Sequence, residues 1–426
     1  MNLKTGRSSF FRNILTLFSG TVIAQALPIL LSPVLSRIYT PEDFAILAII
    51  TPLITIGATI STFRLDIAVV VPKEDAEARN LLSTALISNL LIVALSVICV
   101  LLIQLFFPLV SILSDDTRRL LWYIPPGIFA VGWYTAYNYW STRNKTYRNN
   151  AASKIVQAVI TILTSIVFGY FIPGAEGLVL GLVAGYMTGL IVLYFRQKTE
   201  APLSDVRRYS FKNSKGTLKK YRNFVFVNTP HAALSIFVDQ GIVYFLKMFF
   251  INNIIGGFAF AYRYTKAPLG IITSSISQVF YEDASKKVNA GEDIRPMMFK
   301  IQKNLFLFTF PFYIVGLIWA PDIFAFVFSD LYYQAGEIAA LLLPWIYFNS
   351  LISPISTITL IFNRQKEALM FSVFDLALRI AAICIGGWYG DWELTFFLLS
   401  FICSLYLIAI FQWYYWIANP KNYKHY

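Results

Sequence analysis

The sequence predicts an all-α integral membrane protein, about twelve transmembrane helices in two six-helix lobes around a hydrated central cavity. Three observations predict it. The 426 residues are 57% apolar and only 14% charged, against roughly 25% charge in a soluble globular chain. Apolar runs of about 20 residues recur along the whole length, each long enough to cross a ~30 Å hydrocarbon core as a helix. Several of these runs carry their polar residues at i, i+3/i+4 spacing, so that one face alone is polar.

In chain order the spans fall at roughly 13–36, 43–63, 80–107, 120–141, 152–172 and 177–195, then 223–249, 254–280, 302–328, 337–362, 368–388 and 394–417. The first run lacks a small-residue cleavage site and reads as a retained helix. Of the 35 Lys+Arg, 28 fall on one side of this alternation. Arg37, Arg118, Arg119 and Lys247 fall on the other, and Arg263, Lys266 and Arg379 lie within helices. The positive-inside rule then puts both termini in the cytosol. The net charge of +12 is thus topology and attraction to anionic lipid, not a nucleic-acid surface. The predicted domains are an N-lobe (1–196), a basic cytosolic linker (197–222), a C-lobe (223–417) and a cytosolic tail (418–426). Phe11-Arg12-Asn13 and Tyr221-Arg222-Asn223 open the two halves, as in a duplicated transporter.

The polar stripes mark the interior. The first helix aligns Thr21, Gln25, Pro28, Ser32 and Ser36, and the second Thr51, Thr55, Thr59 and Thr62. The seventh aligns Asn228, His231, Ser235 and Asp239, and the eighth Arg263, Lys266, Gly270, Ser274 and Ser277. Helices five and eleven add Lys154, Gln157, Thr161 and Ser372, Asp375, Arg379. A Ser or Thr in a membrane helix commonly just bonds the preceding carbonyl or a neighbouring helix. Charge is different: each cation at bilayer depth costs at least ~2.5–3.5 kcal/mol. Arg263 lies about nine residues into its helix, ~14 Å deep, with Lys266 on the same face. One acid at comparable depth, Asp239, cannot neutralise both, which suits an anionic phosphate ligand. Asp375 and Arg379 at i, i+4 are expected to pair. Asp239, Asp375, Arg379 and His231 are the candidates for proton or sodium coupling. Arg64 and Arg37 close the inner end of helix two and the outer end of helix one.

Other features read as architecture. Gly177, Gly181, Gly185 and Gly189 form a groove for close helix contact. Prolines 28, 33, 125, 126, 230, 268, 311 and 354 are expected inside helices, bending them. The aromatics of helix four, Trp133, Tyr134, Tyr137, Tyr139 and Trp140, are expected as an interfacial belt. Cys99, Cys384 and Cys403 show no metal or disulfide spacing, and His231 and His425 are far apart. No nucleotide motif or catalytic constellation is visible, so the chain reads as a transporter without cofactor, not an enzyme.

Gly20-Thr21-Val22-Ile23-Ala24-Gln25 with Pro28, and the run Ser32 to Phe44 ending Tyr39-Thr40-Pro41-Glu42-Asp43-Phe44, resemble the opening of Wzx-type polysaccharide-repeat flippases. Gly257-Phe258-Ala259-Phe260-Ala261-Tyr262-Arg263 with Pro268 and Ser277-Gln278-Val279-Phe280-Tyr281 is similar to their eighth-helix signature. Asp66-Ile67-Ala68-Val69-Val70-Val71-Pro72 fits the segment after helix two. Ala45 stands where the family usually has Gly. The resemblance implies the multidrug/oligosaccharidyl-lipid/polysaccharide exporter superfamily, with a MATE-like fold and alternating access. It implies a polyprenyl-pyrophosphate-linked oligosaccharide as substrate, flipped across a bacterial inner membrane in O-antigen, capsule or exopolysaccharide assembly. The related lipid II flippases use arginines on helices one, two and eight, where Arg37, Arg64 and Arg263 fall here. The expected pyrophosphate and cavity contacts are Arg263, Lys266, Arg64, Arg37, Gln25, Asn228 and Ser274. A monomer, working beside polymerase and chain-length regulator proteins, is expected. The alternatives are a cation-coupled small-molecule exporter of the same fold and a membrane polysaccharide polymerase.

Overall fold

The computed structural model describes residues 20–106, 115–196, 211–362 and 364–420, and all regular structure among them is helical. The expected start of the first helix at 13–19, the opening Phe11-Arg12-Asn13, linker residues 197–210 and the tail from 421, with His425, lie outside the described residues. We label twelve longer helices: α1 (Gly20–Ile38), α2 (Pro41–Ser61), α3 (Asp75–Phe106), α4 (Ile124–Arg143), α5 (Tyr147–Phe171) and α6 (Glu176–Arg196). The others are α7 (Thr229–Gln240), α8 (Asn252–Asn289), α9 (Arg295–Val327), α10 (Tyr333–Ile352), α11 (Gln365–Trp388) and α12 (Trp392–Ile417). Among the described residues nine helices are long and apolar enough to cross a membrane, so the chain is a multi-pass membrane protein. The three outside that set are α4, α7 and α8. The last two are shortened or diluted by the polar residues they present.

The chain forms two compact units, one of Met1–Tyr39 and Ile46–Gly241, the other of Thr40–Ala45 and Ile242–Tyr426. This division differs from a boundary in the linker at 197–222. α7 belongs to the first unit, and the opening turn of α2 belongs to the second. The second half of that linker is itself a helix, Phe211–Lys220. It docks on the first unit through Lys220, paired with Glu77, and Tyr221, which donates to Glu77 Oε1 at 3.0 Å.

In the first unit α5 and α6 pack most closely. The glycine groove is the reason: a Cβ on Gly181 would lie 2.5 Å from the Thr161 carbonyl oxygen, and one on Gly185 2.7 Å from that of Gln157. Four of the five rings expected as an aromatic belt on α4 are instead core, and Tyr139 is half-buried. Trp133, Tyr134, Tyr137 and Trp140 are buried against Leu81, Leu82 and Leu86 of α3, with Tyr186 and Tyr194 of α6 packed on the same cluster. A belt residue must reach headgroups, and these rings are enclosed before they could. The α2 threonines turn back on their own helix, Thr51 to Leu47 O (2.7 Å), Thr55 to Thr51 O (3.0 Å) and Thr59 to Thr55 O (2.8 Å).

Of the prolines expected inside helices, Pro125 stands in the first turn of α4 and Pro354 in the 3₁₀ turn after α10. Pro33 falls just after the turn at Leu31 that interrupts α1, and Pro230 at the junction of the π-helical stretch Phe224–Asn228 with α7. Pro268 and Pro311 do lie inside α8 and α9. The seventh span passes without a gap from a π-helical stretch, Phe224–Asn228, into α7 and is broken at a turn at Gly241 before Ile242–Lys247.

In the second unit α10 is the central helix, packed by α8, α9 and α12. Ile338, Leu342, Trp345 and Ile346 are almost wholly buried. Gly336 lets α10 approach Pro321 of α9, whose Cα would lie 2.5 Å from a Cβ there. Phe44 meets Phe260 edge-on at 4.9 Å. Ala45, at the family's usual glycine position, is fully buried. The close approach falls on Gly256, where any Cβ would collide with the Pro41 carbonyl.

Candidate functional site

α8 runs for 38 residues, ~57 Å at 1.5 Å per residue, and its polar stripe survives folding. Arg263 is exposed, with its Cζ 5.7 Å from the Tyr264 ring centroid. One turn on, Lys266 Nζ donates to the Tyr262 hydroxyl at 2.8 Å and lies 4.7 Å from that ring's centroid. Lys266, Gly270, Thr273, Ser274 and Ser277 then form one wall of a cavity of about 350 Å³. Gly270 leaves this wall open, since a Cβ there would meet nothing within 4 Å.

The opposite wall comes from the end of α10 and the turn after it: Ile346, Asn349, Ser350, Ser353 and Ser356. Ser350, Ser353 and Ser356 come every third residue, and the 3₁₀ turn Ser353–Ile355 by which the chain leaves α10, with its period of three, puts them on one side. That spacing is visible in the sequence. The serines are small and neutral, and periodicity alone did not say that they would face α8.

Behind the cavity wall stands an aromatic stack. Tyr262 stacks on Trp345 of α10 at 5.3 Å, and Arg379 Cζ lies 4.7 Å from the Trp345 ring centroid. Arg379 is ion-paired with Asp375 one turn back on α11. The two side chains are only 11% and 10% exposed. The pair expected from i, i+4 spacing has therefore formed, and it is buried under Trp345 outside the cavity lining.

The remaining candidates lie in the first unit. Asn228, His231, Ser235 and Asp239 are all exposed along one face of the π stretch and α7. Gln25 of α1 is exposed, and Thr21 one turn before it accepts from Lys154 Nζ of α5 at 3.1 Å. Arg37 is exposed and bonds back to the Pro33 carbonyl at 2.6 Å. Arg64 is half-buried in the turn after α2, where it and Phe63 both take left-handed backbone (φ 55° and 50°). That conformation costs roughly 1–2 kcal/mol per residue. Beside it Asp66 is buried and accepts from Thr62 Oγ1 at 3.0 Å. Burial pushes its carboxyl above the usual range, against the pull of Arg64. The 21 residues of α2, ~31 Å long, separate Arg37 from Arg64. The two do not form one anion site.

The family described as Polysaccharide biosynthesis protein matches residues 34–337. Among curated proteins none matches the chain. Solved structures share the fold. A lipid II flippase MurJ in an inward closed conformation has TM-score 0.72 at 17% identity, covering 94% of this chain and 87% of that one. An inward-facing multidrug resistance MATE family transporter of the MOP superfamily has TM-score 0.68 at 15% identity, covering 96% of both chains. A MOP superfamily transporter from Pyrococcus furiosus has TM-score 0.54 at 13% identity, again covering 96% of both.

Proposed function

The chain belongs to the polysaccharide biosynthesis protein family, and from that premise we propose that it is a lipid-linked saccharide flippase. It would move an oligosaccharide repeat on polyprenyl pyrophosphate from the inner to the outer leaflet of a bacterial cytoplasmic membrane, for O-antigen, capsule or exopolysaccharide assembly. The observation that carries this reading is the face of α8, where an exposed arginine and a lysine precede a hydroxyl-lined cavity. Two cations at that depth are unfavourable in hydrocarbon. They gain most from an anion that offers several acceptor oxygens, with Arg263 as fork and Lys266 as point charge.

In this reading the diphosphate meets Arg263 and Lys266, the glycan enters the aqueous interior and the lipid tail stays in the bilayer. Arg64 and Arg37, at opposite ends of α2, would act at entry and exit, with Gln25 and Asn228 as further polar contacts. No nucleotide is invoked; a proton or sodium gradient would reset the cycle. His231 and Asp239, on the exposed face of α7, are its candidates in the first unit. Asp375 and Arg379 are those in the second, where the carboxylate already holds its own counter-ion.

Reconstituted vesicles test the reading. Arg263→Ala should abolish translocation of a fluorescent polyprenyl-pyrophosphate saccharide while expression and folding stay at wild-type levels. Undiminished flipping would reject it.

A further inference from the structure

The cavity between α8 and α10 has a hydrogen-bonding character of its own. Ser274 donates to Ile271 O at 3.1 Å, Ser350 to Tyr347 O at 2.7 Å and Ser356 to Ser353 O at 2.7 Å. With their protons directed into their own chain segments, these oxygens offer lone pairs. Among the described residues, the side chains of Asn349, Ser277 and Ser353 make no bond to another protein group. These three supply donors as well as acceptors. A diphosphate is acceptor-only and would leave the turned-back hydroxyl oxygens facing its own negative oxygens. Each sugar hydroxyl both donates and accepts, so a saccharide matches a mixed lining. Leu269 and Ile346 add the apolar patch against which the C–H face of a pyranose packs. The volume, about 350 Å³, stands at the lower end of the ~300–1,000 Å³ typical of small-molecule sites. It holds one sugar residue or two, not a whole repeat unit.

We propose that the α8/α10 cavity is a sugar subsite that adjoins the diphosphate contacts and shares only Lys266 with them, and that Asn349 and Ser353 are its specificity-determining residues. This rests on the flippase reading for the identity of the ligand. It adds that the protein reads the saccharide and does not merely tolerate it. The α10 wall provides most of the recognition, since an amide with two donors and two acceptors discriminates hydroxyl geometry better than a lone hydroxyl. A site built to hydrogen-bond a substrate also rejects analogues that leave its polar groups unpaired.

The test measures binding to the purified full-length protein by microcalorimetry. The probes are farnesyl pyrophosphate and farnesyl-pyrophosphoryl glucose, galactose and N-acetylglucosamine. The wild type should bind at least one sugar-bearing probe tenfold or more tighter than farnesyl pyrophosphate. Asn349→Ala and Ser353→Ala should each shrink that gap at least threefold, and the double variant should remove it, leaving farnesyl pyrophosphate binding unchanged. Arg263→Ala should weaken every probe by a similar factor and preserve the gap. Equal wild-type affinity for all four probes, or a gap that persists in the double variant with its elution profile and melting point intact, overturns the subsite. A variant that fails to fold is replaced by Ser277→Ala, which touches only the α8 wall and should shrink the gap in the same direction. Loss of discrimination with intact pyrophosphate binding bears on the subsite alone. If Arg263→Ala leaves every probe unaffected, the flippase reading fails while a sugar site stands.

Discussion

The Asp375–Arg379 pair gives the sharpest energetic test of the second unit. Both side chains are about nine-tenths buried, and the guanidinium also covers the Trp345 ring at 4.7 Å. Removing one member leaves the other charged or desolvated without compensation, a loss of ~3–5 kcal/mol for buried pairs. Arg379→Met forfeits in addition a desolvated cation–π contact of up to ~2 kcal/mol. It retains the apolar stem on Trp345, and the expected total is ~3–7 kcal/mol. Asp375→Leu alone should cost ~3–5 kcal/mol. The double variant Asp375→Leu/Arg379→Met places two apolar side chains of similar volume among Trp345, Cys403 and Tyr406, and should recover most of that loss. Replacing a whole buried pair by apolar residues is often neutral. Unfolding free energies in lipid-containing micelles, taken for all four corners of the cycle, read the coupling directly. A coupling below ~1 kcal/mol, as for exposed pairs, would refute the burial argument. So would a double variant as unstable as the sum of the singles.

Gly185→Ala should destabilise the first unit by ~1–3 kcal/mol, the usual range for overpacking, because its Cβ meets the Gln157 carbonyl oxygen at 2.7 Å. Gly270→Ala, with nothing within 4 Å of the new Cβ inside α8, should raise stability by ~0.5–1 kcal/mol, and thermal denaturation of both checks the contrast. Arg143 donates to Pro72 O at 2.6 Å and Val69 O at 3.1 Å and pairs with Asp75. Arg143→Ala should therefore speed proteolysis of the 69–75 turn, whereas Asp75→Ala, whose side chain is 76% exposed, should change it by no more than ~1 kcal/mol equivalent. Asp66 carries a raised carboxyl, so the folded state holds its proton more tightly than the unfolded chain. Its ionisation therefore lowers stability as pH rises from about 3.9 through the raised value. Asp66→Asn, which still accepts from Thr62, should gain stability over wild type at pH 7. The gain should shrink as pH falls toward 4, as urea or detergent unfolding at several pH values would show.

Hydropathy and helical spacing account for much of this molecule without any coordinates. Insertion into hydrocarbon acts residue by residue, so runs such as 394–417 announce a helix from composition. The glycines of α6 predicted close packing because only a missing side chain lets two backbones approach. Arg263, Lys266, Ser274 and Ser277 shared a face by periodicity, and Asp375 and Arg379 paired by their spacing. Contacts between distant segments were decided elsewhere. Whether the α4 aromatics face headgroups or Leu81 and Leu82 depends on which neighbour covers them, and an aromatic ring satisfies either. Ser350, Ser353 and Ser356 became a cavity wall only because α8 packs against the end of α10 and the turn after it. Arg37 and Arg64 look alike in sequence, yet the length of α2 holds them apart. Local chemistry is written in one dimension; burial is a property of what lies opposite, and only tertiary packing supplies that.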